Sequence, residues 1–193
     1  MKIIIIDYGA GNVFSLIMAL KRLGYNALLT NDANEIQSAD KVIFPGVGQA
    51  SAAMTRLKCE GLDTLIPLLQ MPVLGICLGM QLMCNFTEEE STEGLKIFPV
   101  NVSKIDGINR VPHMGWNNIV NLKSELFSGV NESEWMYFVH SYYVPDNPYS
   151  IANCNYHTLF SAAIQYNNFY GCQFHPEKSA DIGEKILMNF IKL

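Results

Sequence analysis

The sequence predicts an α/β fold: a central, mainly parallel β-sheet flanked by helices, with antiparallel strands added in the second half of the chain. In the first half, short apolar runs alternate with helical segments, which is typical of the buried strands of a parallel sheet. In the second half, closely spaced β segments are separated by polar, Asn-rich turns, as in antiparallel strands. With 193 residues, of which 49% are hydrophobic, the chain is expected to form a single domain over residues 1–193.

The first half is predicted to contain four buried strands, at residues 2–6, 26–30, 41–44 and 73–76. Helices are expected between them, at residues 13–23, 50–59 and 62–69. Apolar side chains recur at helical spacing in the first helix, and Gly24 follows its end. Glycine-containing turns follow three of the strands, at residues 9–12, 45–48 and 75–79. Because parallel strands end at the same edge of a sheet, we expect these turns to lie side by side and form a site.

The second half is predicted to be rich in antiparallel strands. Residues 96–106 and 111–121 are predicted to pair with each other around polar turns. Further β segments are expected at residues 135–144, 150–156, 160–165 and 169–174. The chain then ends with an amphipathic helix at residues 181–193.

The composition excludes several classes of protein. A net charge of −5 with no long run of Lys or Arg argues against a nucleic-acid-binding surface. No apolar stretch is long enough to cross a membrane and no signal peptide precedes the first strand, so we expect a cytoplasmic protein. The five cysteines are scattered and form no CxxC pair, which indicates reduced thiols. Neither a metal site nor a cofactor is predicted.

A cysteine between two glycines is the first candidate for chemistry. Cys77 follows the apolar run 73–76, has Gly75 and Gly79 two residues away on either side, and precedes helix-forming residues. This Gly-x-Cys-x-Gly pattern is the thiol counterpart of the strand-turn-helix elbow that carries a serine nucleophile. Such a turn places the sulfur at a helix N-terminus, where the thiolate is favoured. The pattern alone is equally consistent with a buried core cysteine.

The second candidate is the segment His175-Pro176-Glu177, which supplies the base that a thiol nucleophile needs. His175 follows a buried-looking apolar run at residues 170–174, so we expect it at a strand end. Side chains two residues apart on an extended chain project to the same side, so Glu177 can orient the His175 ring and stabilise its cation. Together with the elbow, this segment favours a Cys77-His175-Glu177 catalytic triad.

Acyl transfer also requires donors for the developing oxyanion and groups that hold the substrate. The elbow offers the amide of Leu78. The glycine turn Gly46-Val47-Gly48 offers further backbone amides that a ligand can approach closely. Gln81 lies on the first turn of the expected helix and can face the side of the nucleophile. The sequence therefore predicts an acyl-transfer site at this edge of the sheet.

Taken together, these motifs resemble the class I glutamine amidotransferases. The segment Gly-Ile-Cys-Leu-Gly-Met-Gln at residues 75–81, with the distant His-Pro-Glu at residues 175–177, is similar to the motifs that carry their Cys-His-Glu triad. One branch of that family, the glutaminase subunits of imidazole glycerol phosphate synthases, resembles the chain at residues 7–12, 45–48, 112–117, 137–142 and 173–178. The resemblance covers essentially the whole chain. It implies a flavodoxin-like fold and the hydrolysis of glutamine to glutamate and ammonia.

The resemblance also implies roles for individual residues. Cys77 would form a γ-glutamyl thioester, His175 would transfer protons, and Glu177 would orient His175. The amides of Val47 and Leu78 would form the oxyanion hole. The implied substrate-binding residues are Gly46, Val47, Gly48, Leu78, Gln81, Glu89, Ser141 and Tyr142. Glu89, one of three consecutive glutamates, suits the α-ammonium group of the substrate or else belongs to a solvated charge cluster.

The partner implied by the resemblance is a (βα)8-barrel cyclase in a heterodimer. Asn12, Trp116, Tyr137 and Lys178 match positions expected at that interface, although Trp116 and Tyr137 are nearly as consistent with ordinary core or surface aromatics. Ammonia protonates at neutral pH and loses its nucleophilicity, so we expect its acceptor to be bound by another chain through an enclosed path. In the family, the cyclase makes imidazole glycerol phosphate and an aminoimidazole carboxamide ribonucleotide in histidine biosynthesis.

Three alternatives remain open. The chain could be a paralogous glutaminase that supplies ammonia to another synthase, such as one that modifies a surface sugar. It could be a different cysteine hydrolase of similar fold, such as a peptidase, which would not need Gln81 or the turn at residues 45–48. A nucleotide-binding module built on residues 9–12 is disfavoured, because Phe14 and Ser15 stand where a third glycine is needed.

Overall fold

A computed structural model describes residues 1–9, 12–106 and 110–193, and in these ranges the chain forms a seven-stranded, mainly parallel sheet with helices on both faces. The strands are β1 (Ile3–Ile6), β2 (Ala27–Thr30), β3 (Lys41–Phe44), β4 (Val73–Ile76), β5 (Cys84–Thr87), β6 (Thr92–Glu93), β7 (Phe98–Lys104), β8 (His113–Asn118), β9 (Trp135–His140), β10 (Tyr142–Tyr143), β11 (Ser150–Tyr156), β12 (Thr158–Tyr166) and β13 (Phe169–Cys172). The helices are α1 (Val13–Arg22), α2 (Ala33–Gln37), α3 (Ala50–Cys59), α4 (Leu62–Leu65), α5 (Leu78–Leu82) and α6 (Ala180–Lys192). Short 3-10 turns lie at Ile66–Leu68, Glu89–Ser91, Glu125–Phe127 and Pro176–Lys178.

The main sheet has the strand order β11-β12-β13-β4-β3-β1-β2. Strands β13, β4, β3, β1 and β2 are parallel, whereas β12 and β11 run antiparallel at one edge. Successive side chains of β1 point to opposite faces. Ile3 and Ile5 therefore pack in the core that includes α1 and α6, and Ile4 and Ile6 pack in the core that includes α3. Helices on both faces explain why the central strands are continuous apolar runs.

Two smaller β units complete the fold. The strands β10-β7-β5-β6 form a second sheet, and β8 and β9 form a two-stranded antiparallel ribbon. Strand β5 directly follows α5, and β10 directly follows β9. Both units therefore connect to the edge of the main sheet where β4 ends. Within the described ranges, no helix combines the length and apolar character that a membrane crossing requires.

The predicted fold class is confirmed, and several predicted elements match the structure to the residue, including β3, β4 and α3. The second strand is a partial exception. It was expected to be fully buried, but β2 forms the edge of the sheet and Leu28 is 48% exposed, because only β1 pairs with it. In the first glycine turn, at residues 9–12, Ala10 and Gly11 lie outside the described residues.

The predicted strand pairing in the second half is wrong. Residues 96–106 and 111–121 were expected to pair with each other, but β7 pairs with β5 and β10, whereas β8 pairs with β9. Strand β13 is parallel to β4 rather than a purely antiparallel addition. Alternation of apolar and polar residues identifies a strand but not its neighbour, since any strand with a compatible face can occupy the adjacent position.

Candidate active site

Cys77 lies at the turn between β4 and α5 and has a strained backbone, with φ of 53° and ψ of −109°. For a residue with a side chain, such a conformation costs about 1–3 kcal/mol. Hydrogen bonds on both sides hold it in place. The Cys77 N–H donates to the carbonyl of Cys172 at 2.7 Å, and the Gln81 N–H donates to the carbonyl of Cys77 at 3.1 Å. The nucleophile candidate is thus fixed between β13 and α5.

The glycines of the elbow are required by close packing. A Cβ atom on Gly79 would lie 1.9 Å from the carbonyl oxygen of Phe44, at the end of β3. A Cβ atom on Gly75 would lie 2.8 Å from the backbone nitrogen of Met80. On the facing turn, a Cβ atom on Gly46 would lie 2.5 Å from the backbone nitrogen of Gly79. Because these side chains are absent, α5 begins directly against the turn that follows β3.

The structure brings the three predicted triad residues together. The Nδ1 of His175 lies 2.9 Å from Oε1 of Glu177, with the two side chains 2% and 4% exposed. The other ring nitrogen, Nε2, is buried and has no hydrogen-bond partner of normal geometry among the described residues. His175 and Cys77 line the same pocket. Burial lowers the pKa of His175, but its interactions with Cys77 and Glu177 outweigh this effect and raise the pKa to about 10. The ring is therefore well placed to carry a proton beside a thiolate.

A pocket of about 350 Å³ opens beside Cys77. The predicted site residues that line it are Val47, Gly48, Cys77, Leu78, Gln81, Glu89, Ser141, Tyr142 and His175. Pro112, Val139 and His140 also line the pocket and were not predicted. Gly46, which was predicted as a substrate-binding residue, does not line this pocket. It lines a smaller cavity behind the turn, together with Glu177 and Asn12.

Of the three consecutive glutamates, Glu89 lines the pocket, and it is not part of a solvated cluster. Its Oε2 accepts a hydrogen bond from the N–H of Ala50 at 2.9 Å. Glu88 accepts a hydrogen bond from a backbone N–H of β7, and Glu90 binds side chains at the start of α3. Burial raises the pKa of the Glu89 carboxyl, although the Ala50 N–H opposes the shift. The pocket thus contains one carboxylate opposite the nucleophile.

A directional chain of hydrogen bonds runs along one wall of the pocket. The Nδ1 of His140 lies 2.8 Å from the carbonyl oxygen of Tyr142, and a carbonyl only accepts, so Nδ1 carries the proton. The Nε2 of neutral His140 is then the acceptor for Nδ1 of His113, at 3.0 Å. Asn117 donates in turn to Nε2 of His113 at 3.4 Å. This arrangement suits two neutral rings. Burial lowers the pKa of His140 to about 3 and that of His113 to about 4.

The Gln81 side chain extends this chain of hydrogen bonds toward the nucleophile. Its Nε2 donates to the Tyr142 carbonyl at 2.9 Å and to Oε1 of Gln173 at 3.0 Å. Neither Gln173 nor the histidine pair was predicted as part of the site. All three stand inside segments that carry the family resemblance, at residues 112–117, 137–142 and 173–178, and this was the only signal in the sequence that could have identified them.

The residues predicted at a partner interface form a surface cluster. The rings of Trp116 and Tyr137 meet edge to face with centroids 6.2 Å apart, and Nζ of Lys178 lies 5.7 Å from the centroid of the Tyr137 ring. Trp116 is 49% exposed. Asn12 lies just before α1, which packs against the 3-10 turn that contains Lys178. In the described part of the chain, no group of three or more His, Cys, Asp or Glu residues is placed to hold a metal ion.

Comparison with known proteins identifies relatives along the whole chain. The family profile "Glutamine amidotransferase class-I" matches residues 4–193. Imidazole glycerol phosphate synthase subunit HisH from Bacteroides fragilis is 52% identical over 196 residues, and the match covers 100% of both chains. The protein of the same name from Colwellia psychrerythraea is 45% identical over 210 residues, which cover 100% of this chain and 93% of the relative.

Solved structures share the fold. A GMP synthase component from Thermoplasma acidophilum has a TM-score of 0.78 at 21% identity, covering 100% of this chain and 92% of that chain. The crystal structure of a glutamine amidotransferase has a TM-score of 0.77 at 14% identity, covering 98% and 97% of the two chains. At these identities the likeness concerns the fold alone.

We predict that the free energy of unfolding falls as the pH drops below 6.5, because His140 is neutral in the folded protein. Its folded pKa of about 3 lies below the unfolded value of about 6.5. The stabilisation is therefore present above pH 6.5 and is lost as the pH falls toward 3. Between pH 6.5 and 5 the loss from His140 is about 2 kcal/mol, measurable by urea unfolding at the two pH values.

The variant His140→Asn should reduce this pH dependence. The matched control is His157→Asn, since His157 is exposed and has a positive φ of 61° that Asn tolerates. The control should keep the pH dependence of the wild type. Equal pH dependence in the wild type and in His140→Asn would show that His140 is not held neutral by the fold.

Proposed function

The chain belongs to the class I glutamine amidotransferase family, and we propose that it is the glutaminase subunit of an imidazole glycerol phosphate synthase. In this role it hydrolyses glutamine to glutamate and ammonia and delivers the ammonia to a (βα)8-barrel cyclase. The observation that carries the proposal is the strained, pocket-facing Cys77 beside the buried pair of His175 and Glu177. The relatives at 52% and 45% identity, both named HisH, support the subfamily.

The first half of the reaction forms a thioester. The Cys77 thiolate attacks the side-chain amide carbon of glutamine, and the carbonyl oxygen becomes an oxyanion. Leu78 is the first residue of α5, so its N–H has no acceptor within the helix and is suited to bind that oxyanion. Val47, on the facing turn, is our second candidate donor. His175 then gives its proton to the amide nitrogen, the carbon–nitrogen bond breaks, and ammonia leaves.

The second half of the reaction releases glutamate. A water molecule gives a proton to the neutral His175 and attacks the thioester carbon. The carbon–sulfur bond then breaks and the thiolate is restored beside the His175 cation. Glu177 stays ionised and holds the ring through Nδ1, so that Nε2 faces the reacting atoms in both halves.

The pocket suits the amino-acid end of glutamine. Glu89 supplies a negative charge for the α-ammonium group across the pocket from Cys77. Gly48, Gln81, Ser141 and Tyr142 line the space between them and are our candidates for binding the α-carboxylate and the substrate chain. A pocket with a nucleophile at one end and a single carboxylate at the other favours a zwitterionic substrate with a side-chain amide.

Two features support a partner that receives ammonia. The smaller cavity shares His175 and Val47 with the pocket and also contains Asn12. The carboxylate of Glu177 lines it, with an Oε2 that is buried and unpartnered among the described residues, which suits a small hydrogen-bond donor such as ammonia. The exposed cluster of Trp116, Tyr137 and Lys178 supplies aromatic groups of the kind enriched at protein interfaces, together with a cation.

Residues 1–193 are proposed to act as one glutamine amidotransferase domain in the cytoplasm. The family profile matches residues 4–193, which supports one domain. All five cysteines are free, and four of them are buried, which is consistent with a reducing compartment.

Replacing Cys77 by Ala is expected to reduce glutamine hydrolysis at least about a thousandfold, because no other group takes over from a lost nucleophile. The measurement is glutamate release by the chain mixed with a histidine-pathway barrel cyclase and its ribonucleotide substrate. Cys59→Ala removes an exposed thiol outside the site and should retain the wild-type rate. Hydrolysis that survives in Cys77→Ala would rule out the triad.

Replacing Trp116 by Ala is expected to weaken binding of the cyclase about thirtyfold, the effect of a Trp worth about 2 kcal/mol at the centre of an interface. Calorimetric titration measures this change. The control is Tyr166→Ala, which removes an aromatic that is 40% exposed beside the start of β13, at the opposite edge of the sheet. Unchanged affinity in the Trp116 variant would move the interface elsewhere.

A further inference from the structure

We propose that Gln173 is a further residue of this reaction, whose side-chain amide donates a hydrogen bond to the Cys77 sulfur and holds the thiolate in position. The Nε2 of Gln173 lies 3.6 Å from Sγ of Cys77, and the Gln173 side chain is fully buried. The inference rests on the proposed function for the identity of the reaction, but the contact concerns the nucleophile whatever the substrate.

The direction of the Gln173 amide follows from its neighbours. Gln81 places its Nε2 2.9 Å from the Tyr142 carbonyl oxygen, and a carbonyl oxygen only accepts, so this atom of Gln81 is the donor nitrogen. The same nitrogen lies 3.0 Å from Gln173, so the Gln173 atom facing it is the oxygen. The remaining Gln173 atom, which faces the sulfur, is therefore the NH2 group. A donor is presented to the sulfur, and a donor stabilises the anion.

The hydrogen bonds beyond Gln81 prevent the amide from turning over. The carbonyl oxygen of Tyr142 also accepts from His140, whose orientation is fixed in turn by His113. If the Gln173 amide flipped, its NH2 group would face the NH2 group of Gln81 and its oxygen would face the thiolate. Two buried donors and two buried acceptors would then lack partners, at a cost that exceeds a normal hydrogen bond.

The backbone directs Gln173 and His175 to the same place. The two residues flank Phe174, and alternate residues of an extended segment project to the same side. The ring of Phe174 points the other way and packs on Phe138 with centroids 5.9 Å apart. One short segment after β13 thus presents a proton carrier and an amide donor to one sulfur atom. The donor assists attack by stabilising the thiolate, and assists thioester hydrolysis by stabilising the same thiolate as it leaves.

Other titratable groups around the sulfur must be considered in a pH-dependent test. They are His175 with Glu177 behind it, Tyr8 and Cys172 from neighbouring strands, and His140 and Glu89 across the pocket. Burial raises the pKa of Tyr8 and of Cys172 and lowers that of His140 to about 3, so these groups keep their charge near neutral pH. Substitution at Gln173 leaves every one of these groups in the protein.

The test is the pH profile of Cys77 alkylation by iodoacetamide, followed on the Cys77 peptide by mass spectrometry of the full chain. In Gln173→Met, which fills the space without a donor, the midpoint should move to higher pH by about one unit. In Gln173→Glu, which keeps the oxygen that faces Gln81 but turns a carboxylate oxygen to the sulfur, the shift should be larger. With the cyclase present, kcat for glutamine hydrolysis should fall about tenfold in Gln173→Met while KM changes less.

The matched control is Gln165→Met, the same substitution on β12, where Gln165 binds Ser124 and Tyr170 outside the site. It should leave the Cys77 profile unchanged. If Gln173→Met does not fold, Gln173→Glu provides the same readout at nearly the same side-chain size. The proposal is overturned if either folded variant gives a profile that superimposes on the wild type. A wild type that alkylates normally but hydrolyses no glutamine with any cyclase would overturn the proposed function and leave the role of Gln173 to the profiles.

Discussion

The close contact between the start of α5 and the end of β3 governs the geometry of the site. With only 1.9 Å between the position of a Gly79 Cβ and the Phe44 carbonyl oxygen, this contact exists only with glycine. The contact pulls the first turn of α5 down onto the sheet, and the chain must turn sharply at Cys77 to reach it. The strained φ of Cys77 follows, and so does its exposure to the pocket. The turn at residues 45–48 is held against the same helix end, which brings the two candidate oxyanion donors to facing positions.

Much of the first half of the fold could be predicted from sequence because its signals are local. Strands such as β3 and β4 are covered on both faces, so each is a continuous apolar run bounded by turns. The second half depends on which strands become neighbours, and alternation carries no information about that choice. This is why β7 and β8 were paired wrongly. The short elements α2 and β5 were missed because four or five residues are too few to show a period.

The candidate site divides in the same way. Cys77, His175 and Glu177 stand in short motifs whose spacing has a chemical reason, so the sequence was sufficient to propose them. Gln173 and His140 act through contacts with residues far along the chain, such as the 96 positions between Gln173 and Cys77. Their residue types are unremarkable in isolation, and only the folded chain shows that a single direction of hydrogen bonding links them to the nucleophile. The separation of Glu89 from its two acidic neighbours also required the structure.

The central claim is that Cys77 is the nucleophile of a glutamine-specific pocket, and affinity labelling tests it most directly. The chain is treated with a chloromethyl ketone analogue of glutamine, and the labelled peptides are identified by mass spectrometry. We predict one label per chain, on Cys77, with labelling slowed by added glutamine but not by isoglutamine, which carries its amide on the α-carboxyl group. The exposed thiol of Cys59 should remain largely unlabelled. Labelling on another residue, or labelling of Cys77 that glutamine does not slow, would contradict the claim.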